Sequence, residues 1–264
     1  RSLGTRQWTA LLGAAMTSVS PEALRNSYII GVDTLMAFLC LLCSASALRA
    51  CDSHKRGALI STSLLAGLSC AAKYNAAPII LVPYSLWWLR DRSTRSCIFV
   101  SMCVVLGFLL GAPYSLLSYQ DFWSGLSYEI WHYGVAGHEQ NTTQRGLPQA
   151  LFYTRWLISD GIGLIASLFI IPGLCAIYRA NKPKAFVVAV FPVAYALLMI
   201  MQRANFTRNM VVLVPYAAIG AAYGVYAVTS LTRNTTVRKV FITIIISLAI
   251  GSLWAQSEAA GIPR

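Results

Sequence analysis

The sequence predicts an all-α protein that crosses a membrane about nine times, and three observations lead to this fold class. The chain is 57% hydrophobic and only 11% charged, yet its formal net charge is +12. The apolar residues form long segments, and short basic clusters separate them. A soluble core cannot be this apolar over such a length, whereas lipid can solvate the apolar faces of repeated spans.

Nine apolar segments can be read along the chain, and together they predict a single transmembrane domain over residues 1–264. Several segments are shorter than the ~20 residues that a straight span needs, so their ends are approximate. One long loop, residues 113–157, joins the fifth segment to the sixth. The segments cover roughly residues 8–20, 34–49, 57–72, 76–89, 97–112, 158–178, 185–201, 210–230 and 240–255.

The basic clusters lie on alternate turns, as the positive-inside rule requires of cytoplasmic turns. If the first segment runs from inside to outside, fourteen of the 21 Lys and Arg residues face the cytoplasm. A nucleic-acid-binding protein would instead gather this charge on one face, so we expect no nucleic-acid partner. The cytoplasmic residues are Arg1, Arg6, Arg49, Lys55, Arg56, Arg90, Arg92, Arg95, Arg179, Lys182, Lys184, Arg233, Arg238 and Lys239.

Three Asn-X-Thr sequences match the glycosylation sequon. The predicted topology puts those that begin at Asn141 and Asn205 outside and the one that begins at Asn234 inside.

The loop 113–157 is rich in aromatic residues, which disordered segments lack. Its stretch DFWSGLSYEIWHYG has Phe122, Leu126 and Ile130 at helical spacing, which predicts an interfacial helix. Amphipathic aromatic rings prefer the membrane interface. The loop is therefore either an ordinary aromatic belt or a lid or floor for a lipid-linked substrate.

Ionisable residues at the membrane are costly, so each is a candidate for function. Asp33 begins a long apolar helix on the outer side. It acts there either as a helix N-cap or as a carboxylate that orients an acceptor or helps hold a metal. Lys73 is isolated among apolar residues at the tip of an outer hairpin. It either extends toward the interface or binds a phosphate as a point charge.

Arg203 and Arg208 flank the outer end of the eighth segment, against the charge bias of that face. Each has either an acidic structural partner or an anionic partner such as a lipid headgroup or lipid phosphate.

The loop also carries carboxylates beside imidazoles, at Glu129 and His132 and at His138 and Glu139. Such groups can transfer protons or bind a divalent metal, although their spacing matches no specific metal motif. Polar surface residues are the alternative interpretation. The chain contains no HExxH, GxSxG, P-loop or dinucleotide motif.

Four stretches in this order resemble the GT-C membrane glycosyltransferases, namely glycosyltransferase family 39 and the dolichyl-phosphate-mannose protein mannosyltransferases, including the aminoarabinose transferase type. They are RNSYIIGVDTLMAFLCLL, GLSCAAKYNAAPIILVPYSLWWL, GAPYSLLSYQDFWSGLSYEIWHYGVAGHEQ and TRNMVVLVPYAAIGAAYG. Together they cover most of the chain.

The resemblance implies an integral protein of a bacterial inner membrane or the endoplasmic reticulum. It implies inverting transfer of a sugar from a polyprenyl-phosphate carrier to a protein or glycolipid acceptor, on the outer or luminal face. A divalent cation would steady the phosphate leaving group. By position, Asp33 is similar to the family's second outer acidic residue and His138 to its loop histidine. Lys73, Arg203 and Arg208 become candidates for the carrier phosphate.

The resemblance has one departure, because the family's first outer loop, which carries its principal acidic motif, has no counterpart here. Either further helices precede Arg1 in the full-length protein, or the chain is a degenerate homologue, or another subunit supplies the missing part. We expect the 264 residues alone to be inactive. Two other functions stay open, namely a transporter or flippase of lipid-linked sugars and a non-catalytic subunit of a membrane glycosylation complex. A transporter should carry charged or broken helices near the bilayer midplane, whereas the charges here lie mostly at segment ends.

Overall fold

In the computed structural model, residues 7–53, 56–90, 92–232 and 234–259 are described. Of the cytoplasmic basic residues, Arg1, Arg6, Lys55 and Arg233 lie outside these ranges. The helices within them are α1 (Gln7–Ser18), α2 (Pro21–Ser27), α3 (Asp33–Asp52), α4 (Arg56–Ala72), α5 (Leu81–Arg90), α6 (Thr94–Gly111), α7 (Tyr114–Leu117), α8 (Tyr119–Trp131), α9 (Leu147–Trp156), α10 (Gly163–Ser167), α11 (Ile170–Ala180), α12 (Lys182–Ile200), α13 (Val214–Ser230) and α14 (Thr235–Ala259).

The described residues form helices and no strand, which confirms the all-α prediction. Two 3₁₀ helices (Tyr74–Ile80 and Thr207–Leu213) and two π-helical turns (His132–Ala136 and Leu157–Gly161) connect the α-helices. Backbone pairing outside helices includes an isolated antiparallel bridge between Thr142 and Ala204.

Five helical stretches of the described chain are long and apolar enough to cross a membrane. They are Asp33–Asp52, Thr94–Gly111, Gly163–Ala180, Lys182–Ile200 and Thr207–Ser230. Three of the other four predicted segments correspond to the shorter helices α1, α4 and α5. The last corresponds to α14, whose apolar part is only Ile242–Gln256, so nine spans stay a prediction. The fourth segment shows the reason: Pro78 lies in a 3₁₀ turn, which leaves ten residues for α5.

The chain divides into two compact units. Unit 1 contains residues 1–34, 154–185 and 207–264, and unit 2 contains residues 35–153 and 186–206.

In unit 2, α4 and α6 pack backbone against backbone at two glycines. A methyl group on Gly67 would collide with the Val104 carbonyl, and one on Gly107 would collide with the Leu64 carbonyl. Near their ends Gly111 faces Ala71, so the two helices run parallel. Small residues allow this close approach, which supplies packing energy where lipid removes the hydrophobic driving force.

Polar side chains join α3 to α4 in the same unit. Ser46 Oγ lies 2.7 Å from Ser61 Oγ, and Cys43 Sγ donates to the Thr62 carbonyl at 3.3 Å. At the end of α5, Arg90 donates to the Ala50 and Ser53 carbonyls at 2.6 and 2.8 Å. The turns after α3 and α5 therefore meet at one end of the unit, as expected of two cytoplasmic turns.

Unit 1 uses glycine in the same way. A methyl group on Gly173 of α11 would strike the Gly220 carbonyl of α13, and one on Gly224 would strike the Phe169 carbonyl. Helix α1 packs on α13, with Gly13 facing Ala218 and Ala222. Near the start of α1, Trp8 meets the Tyr226 ring at 6.1 Å, so α1 and α13 are antiparallel.

We predict that Gly67→Ala destabilises the protein, because the added methyl group forces α4 away from α6. The free energy of unfolding should fall by about 1–3 kcal/mol, measured by thermal unfolding in detergent micelles. Gly125→Ala is the matched control, since a methyl group there meets nothing within 4 Å. Equal stability of the two variants would contradict the proposed backbone contact.

We predict that, in endoplasmic-reticulum membranes, a glycan attaches at Asn141 but not at Asn205 or Asn234. Asn141 is exposed, whereas Asn205 is 6% exposed and its amide donates to Thr143 Oγ1. Asn234 faces the cytoplasm in the predicted topology. A glycosidase-sensitive mobility shift on a gel should vanish in Asn141→Gln and persist in Thr207→Ala. A glycan at Asn234 would contradict the predicted topology and show that the opposite orientation is correct.

Candidate functional site

The sequence-predicted loop residues of unit 2 gather around the π-helical turn that follows α8. The turn His132–Ala136 ends at Gly137, whose amide donates to the His132 carbonyl at 2.8 Å. Gly137 has a φ of +78°, and a Cβ there would lie 2.5 Å from Thr142 Oγ1. Glycine is therefore required at this position for both its conformation and its lack of a side chain.

The segment before Phe206 clamps this turn. The amides of Arg203 and Ala204 both donate to the Tyr133 carbonyl, at 2.8 and 3.3 Å. The Arg203 guanidinium donates to the Val135 carbonyl at 2.7 Å. Its exposed side chain is thus held against the turn that carries His132. This hydrogen bond uses Nη1 and does not involve the other N–H groups of the guanidinium.

Two imidazoles meet at the turn. The ring centroids of His132 and His138 are 5.2 Å apart, edge to face. His132 stacks on Tyr128 at 5.6 Å with an interplanar angle of 14°, and His138 contacts the Phe206 ring at 4.9 Å. The His138 amide donates to Thr142 Oγ1 at 2.6 Å, which fixes the backbone there. Together with Arg203, the turn therefore presents proton-transferring and cationic groups beside aromatic faces.

A buried amide supports the turn from α9. Gln149 is fully buried, and its Nε2 donates to the Ala204 carbonyl at 3.2 Å and to the Tyr153 hydroxyl at 3.3 Å. Burial raises the pKa of the Tyr153 hydroxyl, and the neighbouring Tyr133 acts in the same direction. Tyr153 is therefore a neutral structural residue here.

The acidic candidates of the loop are Glu129, three residues before His132, and Glu139, directly after His138. Glu129 is exposed on α8, and Glu139 is exposed with a φ of +39°. Within the described ranges, no group of three or more His, Cys, Asp and Glu side chains could hold a metal ion. Glu129 and His132 therefore stay predicted metal candidates.

Lys73 lies in unit 2 at the same end as this loop. It stands between α4 and the 3₁₀ helix Tyr74–Ile80, and the next residue, Tyr74, meets the Phe122 ring of α8 at 5.7 Å. The structure therefore brings the Lys73 hairpin against the predicted interfacial helix, a pairing that the sequence did not reveal. Tyr119, Trp123, Tyr128 and Trp131 of that helix are exposed.

Asp33 and Arg208 belong to unit 1. Asp33 is the first residue of α3 and is 7% exposed. It follows an exposed apolar segment, residues 28–32. Arg208 is exposed on the 3₁₀ helix Thr207–Leu213, next to the fully buried Asn209.

Unit 1 contains a charged network that the sequence did not reveal. Glu22 of α2 accepts hydrogen bonds from Trp156 and Arg25, and Arg25 also contacts Asp160. A signal was present, since Glu22 and Arg25 are three residues apart and such pairs meet on a helix. Their partners lie 134 and 135 positions away, which no local pattern indicates.

We predict that Asn205→Ala loosens the loop, because its buried amide is a hydrogen-bond partner of Thr143. The free energy of local opening should fall by about 1 kcal/mol, measured as faster hydrogen exchange at the amide of Thr143. Gln140→Ala, at an exposed position of the same loop, should leave that exchange rate unchanged. Unchanged exchange in Asn205→Ala would show that the side chain does not hold the loop.

Comparison with known proteins gives one family match. Residues 1–116 match the family described as dolichyl-phosphate-mannose-protein mannosyltransferase. The match contains Glu22, Arg25, Asp33 and Lys73, and it ends before α8. No curated protein and no solved structure matches the chain.

The family match and the structure both support a membrane protein. The five apolar helices support insertion in a membrane, and the match includes three of the four stretches on which the resemblance was based, wholly or in part. The predicted resemblance to the dolichyl-phosphate-mannose-protein mannosyltransferases is thus confirmed over residues 1–116 of an integral membrane protein.

Proposed function

We propose that this protein is a membrane glycosyltransferase that moves a sugar from a polyprenyl-phosphate carrier to an acceptor on the outer or luminal face. The family match over residues 1–116 supports the reaction class. The apolar helices suit a donor whose prenyl chain is confined to the bilayer. The acceptor is a protein or a glycolipid, both of which present hydroxyl groups at that face.

The observation that carries the proposal is that a cationic residue and aromatic rings occur at each end of α8. Lys73 precedes Tyr74, whose ring meets Phe122 near the start of α8, and Arg203 is held against the turn that follows α8. An ammonium and a guanidinium are the side chains that bind phosphate, the first as a point charge and the second as a fork. Exposed rings on α8 suit the interface at which the carrier phosphate lies.

We assign the remaining roles as follows. Asp33 takes the proton of the acceptor hydroxyl, whose oxygen attacks the anomeric carbon with inversion. The bond from that carbon to the phosphate oxygen breaks, and its electron pair leaves with the polyprenyl phosphate. Lys73 and Arg203 stabilise the charge that develops on this phosphate, and Arg208 is a separate candidate for binding an anionic group. His138 and Glu139 are our candidates for proton transfer, and no step is assigned to a metal.

We predict that Asp33→Asn abolishes sugar transfer, because an amide cannot take the acceptor proton. Loss of a general base lowers the rate about 10²- to 10⁴-fold. The measurement is transfer of radiolabelled mannose from polyprenyl-phosphate mannose, in membranes that contain the full-length protein. Asp121→Asn, which changes an exposed carboxylate on α8, is the matched control and should retain activity.

Two outcomes would contradict the proposal. If the wild-type protein transfers no sugar from any polyprenyl-phosphate donor, the transporter and the non-catalytic subunit become the better interpretations. If transfer occurs and Asp33→Asn retains it, Asp33 is a helix cap and another group takes the proton.

A further inference from the structure

A buried carboxylate organises the end of unit 1 that contains α2. Glu22 is 1% exposed, and three side chains donate to it. Trp156 Nε1 and Arg25 Nη1 donate to Oε2 at 3.0 and 3.1 Å, and Asn26 Nδ2 donates to Oε1 at 2.7 Å. A buried charge needs such partners, because desolvation without them costs several kcal/mol.

Arg25 extends this network to a second carboxylate. Its other terminal nitrogen, Nη2, donates to Asp160 Oδ1 at 3.2 Å. The Arg25 side chain is 39% exposed and that of Asp160 is 33% exposed, so this pair forms the open edge of the network. Glu22 therefore fixes the guanidinium from the buried side, and the guanidinium fixes Asp160 at the surface.

Asp160 is also oriented by its own turn. It belongs to the π-helical turn Leu157–Gly161, where the Ser159 hydroxyl donates to its Oδ2. The Ser20 hydroxyl lies 3.4 Å from the Asp160 carbonyl oxygen. The candidate span Gly163–Ala180 begins three residues later, so the carboxylate lies at the end of a span. Turns of this kind recur at functional sites.

The charge of the network decides which substrate it suits. Glu22 and Asp160 contribute two negative charges and Arg25 contributes one positive charge, which leaves a net charge of −1. Such an edge repels the phosphate of the sugar carrier. It attracts a group that donates a hydrogen bond, and a hydroxyl or an amine of the acceptor is such a group.

We propose that Asp160 binds the acceptor through a hydrogen bond from the acceptor's hydroxyl or amine, and that Glu22 is a positioning residue that acts on Asp160 through Arg25. This inference rests on the proposed glycosyltransferase function. It assigns no bond-making step to Asp160, whose carboxylate orients the acceptor.

The test measures steady-state kinetics of the full-length protein with polyprenyl-phosphate mannose as donor and a Ser/Thr-containing peptide as acceptor. Asp160→Asn should raise the acceptor KM about 10- to 100-fold, the range expected for a hydrogen bond to a charged group. Donor KM and the slow transfer of mannose to water should stay unchanged. Glu22→Gln should raise the acceptor KM in the same direction, and Asp121→Asn should change neither KM.

Conservative variants separate positioning from folding. Asp160→Glu keeps the charge and should recover part of the acceptor affinity, whereas a structural role would show equal loss in both variants. An acceptor KM that stays at the wild-type value in Asp160→Asn, with transfer intact, overturns this inference alone. A fall in thermal stability with unchanged KM does the same. A wild-type protein that transfers nothing overturns the proposed function and this inference with it.

Discussion

Backbone contact at glycine holds the helices of both units together. In unit 2 the contact joins α4 to α6 at Gly67 and Gly107, and in unit 1 it joins α11 to α13 at Gly173 and Gly224. Lipid is as apolar as leucine, so burial of aliphatic side chains gives these helices little reason to associate. Close approach and hydrogen bonds between polar side chains supply the stability instead, as the seam between Ser46 and Ser61 shows.

This packing decides where polar chemistry can lie. Charged side chains cannot occupy the interior of a lipid-facing helix without a partner, and the candidates here lie at helix ends. Because α4 and α6 run parallel, the end of α4 that precedes Lys73 lies beside the end of α6 that leads into the loop. The contact of Tyr74, next to Lys73, with Phe122 of α8 is thus a consequence of helix direction, and it joins parts of the chain that are far apart in sequence.

Local patterns predicted much of the fold but little of the side-chain arrangement. The apolar segments predicted the helical fold class. Asp33 was predicted to begin a long apolar helix, and it is the first residue of α3. The spacing of Phe122, Leu126 and Ile130 predicted the helix that the structure shows as α8. The buried network of Glu22 could not be predicted, since its carboxylate depends on Trp156, which lies 134 residues away. Arg203 likewise meets Val135 through a fold-level contact that no motif encodes.

The exposed segment between α2 and α3 has a consequence for how the protein meets the bilayer. Residues 28–32 carry four large apolar side chains toward the outside, and Ile30 is fully exposed. The segment follows α2, in which Asn26 donates to the buried carboxylate of Glu22, and it ends next to Asp33, the first residue of α3. A short exposed apolar segment of this kind favours insertion at the water–lipid interface. If the proposed sugar transfer occurs at Asp33, we expect the thickness of the surrounding leaflet to set the depth of this residue, and lipid composition to change the rate of transfer.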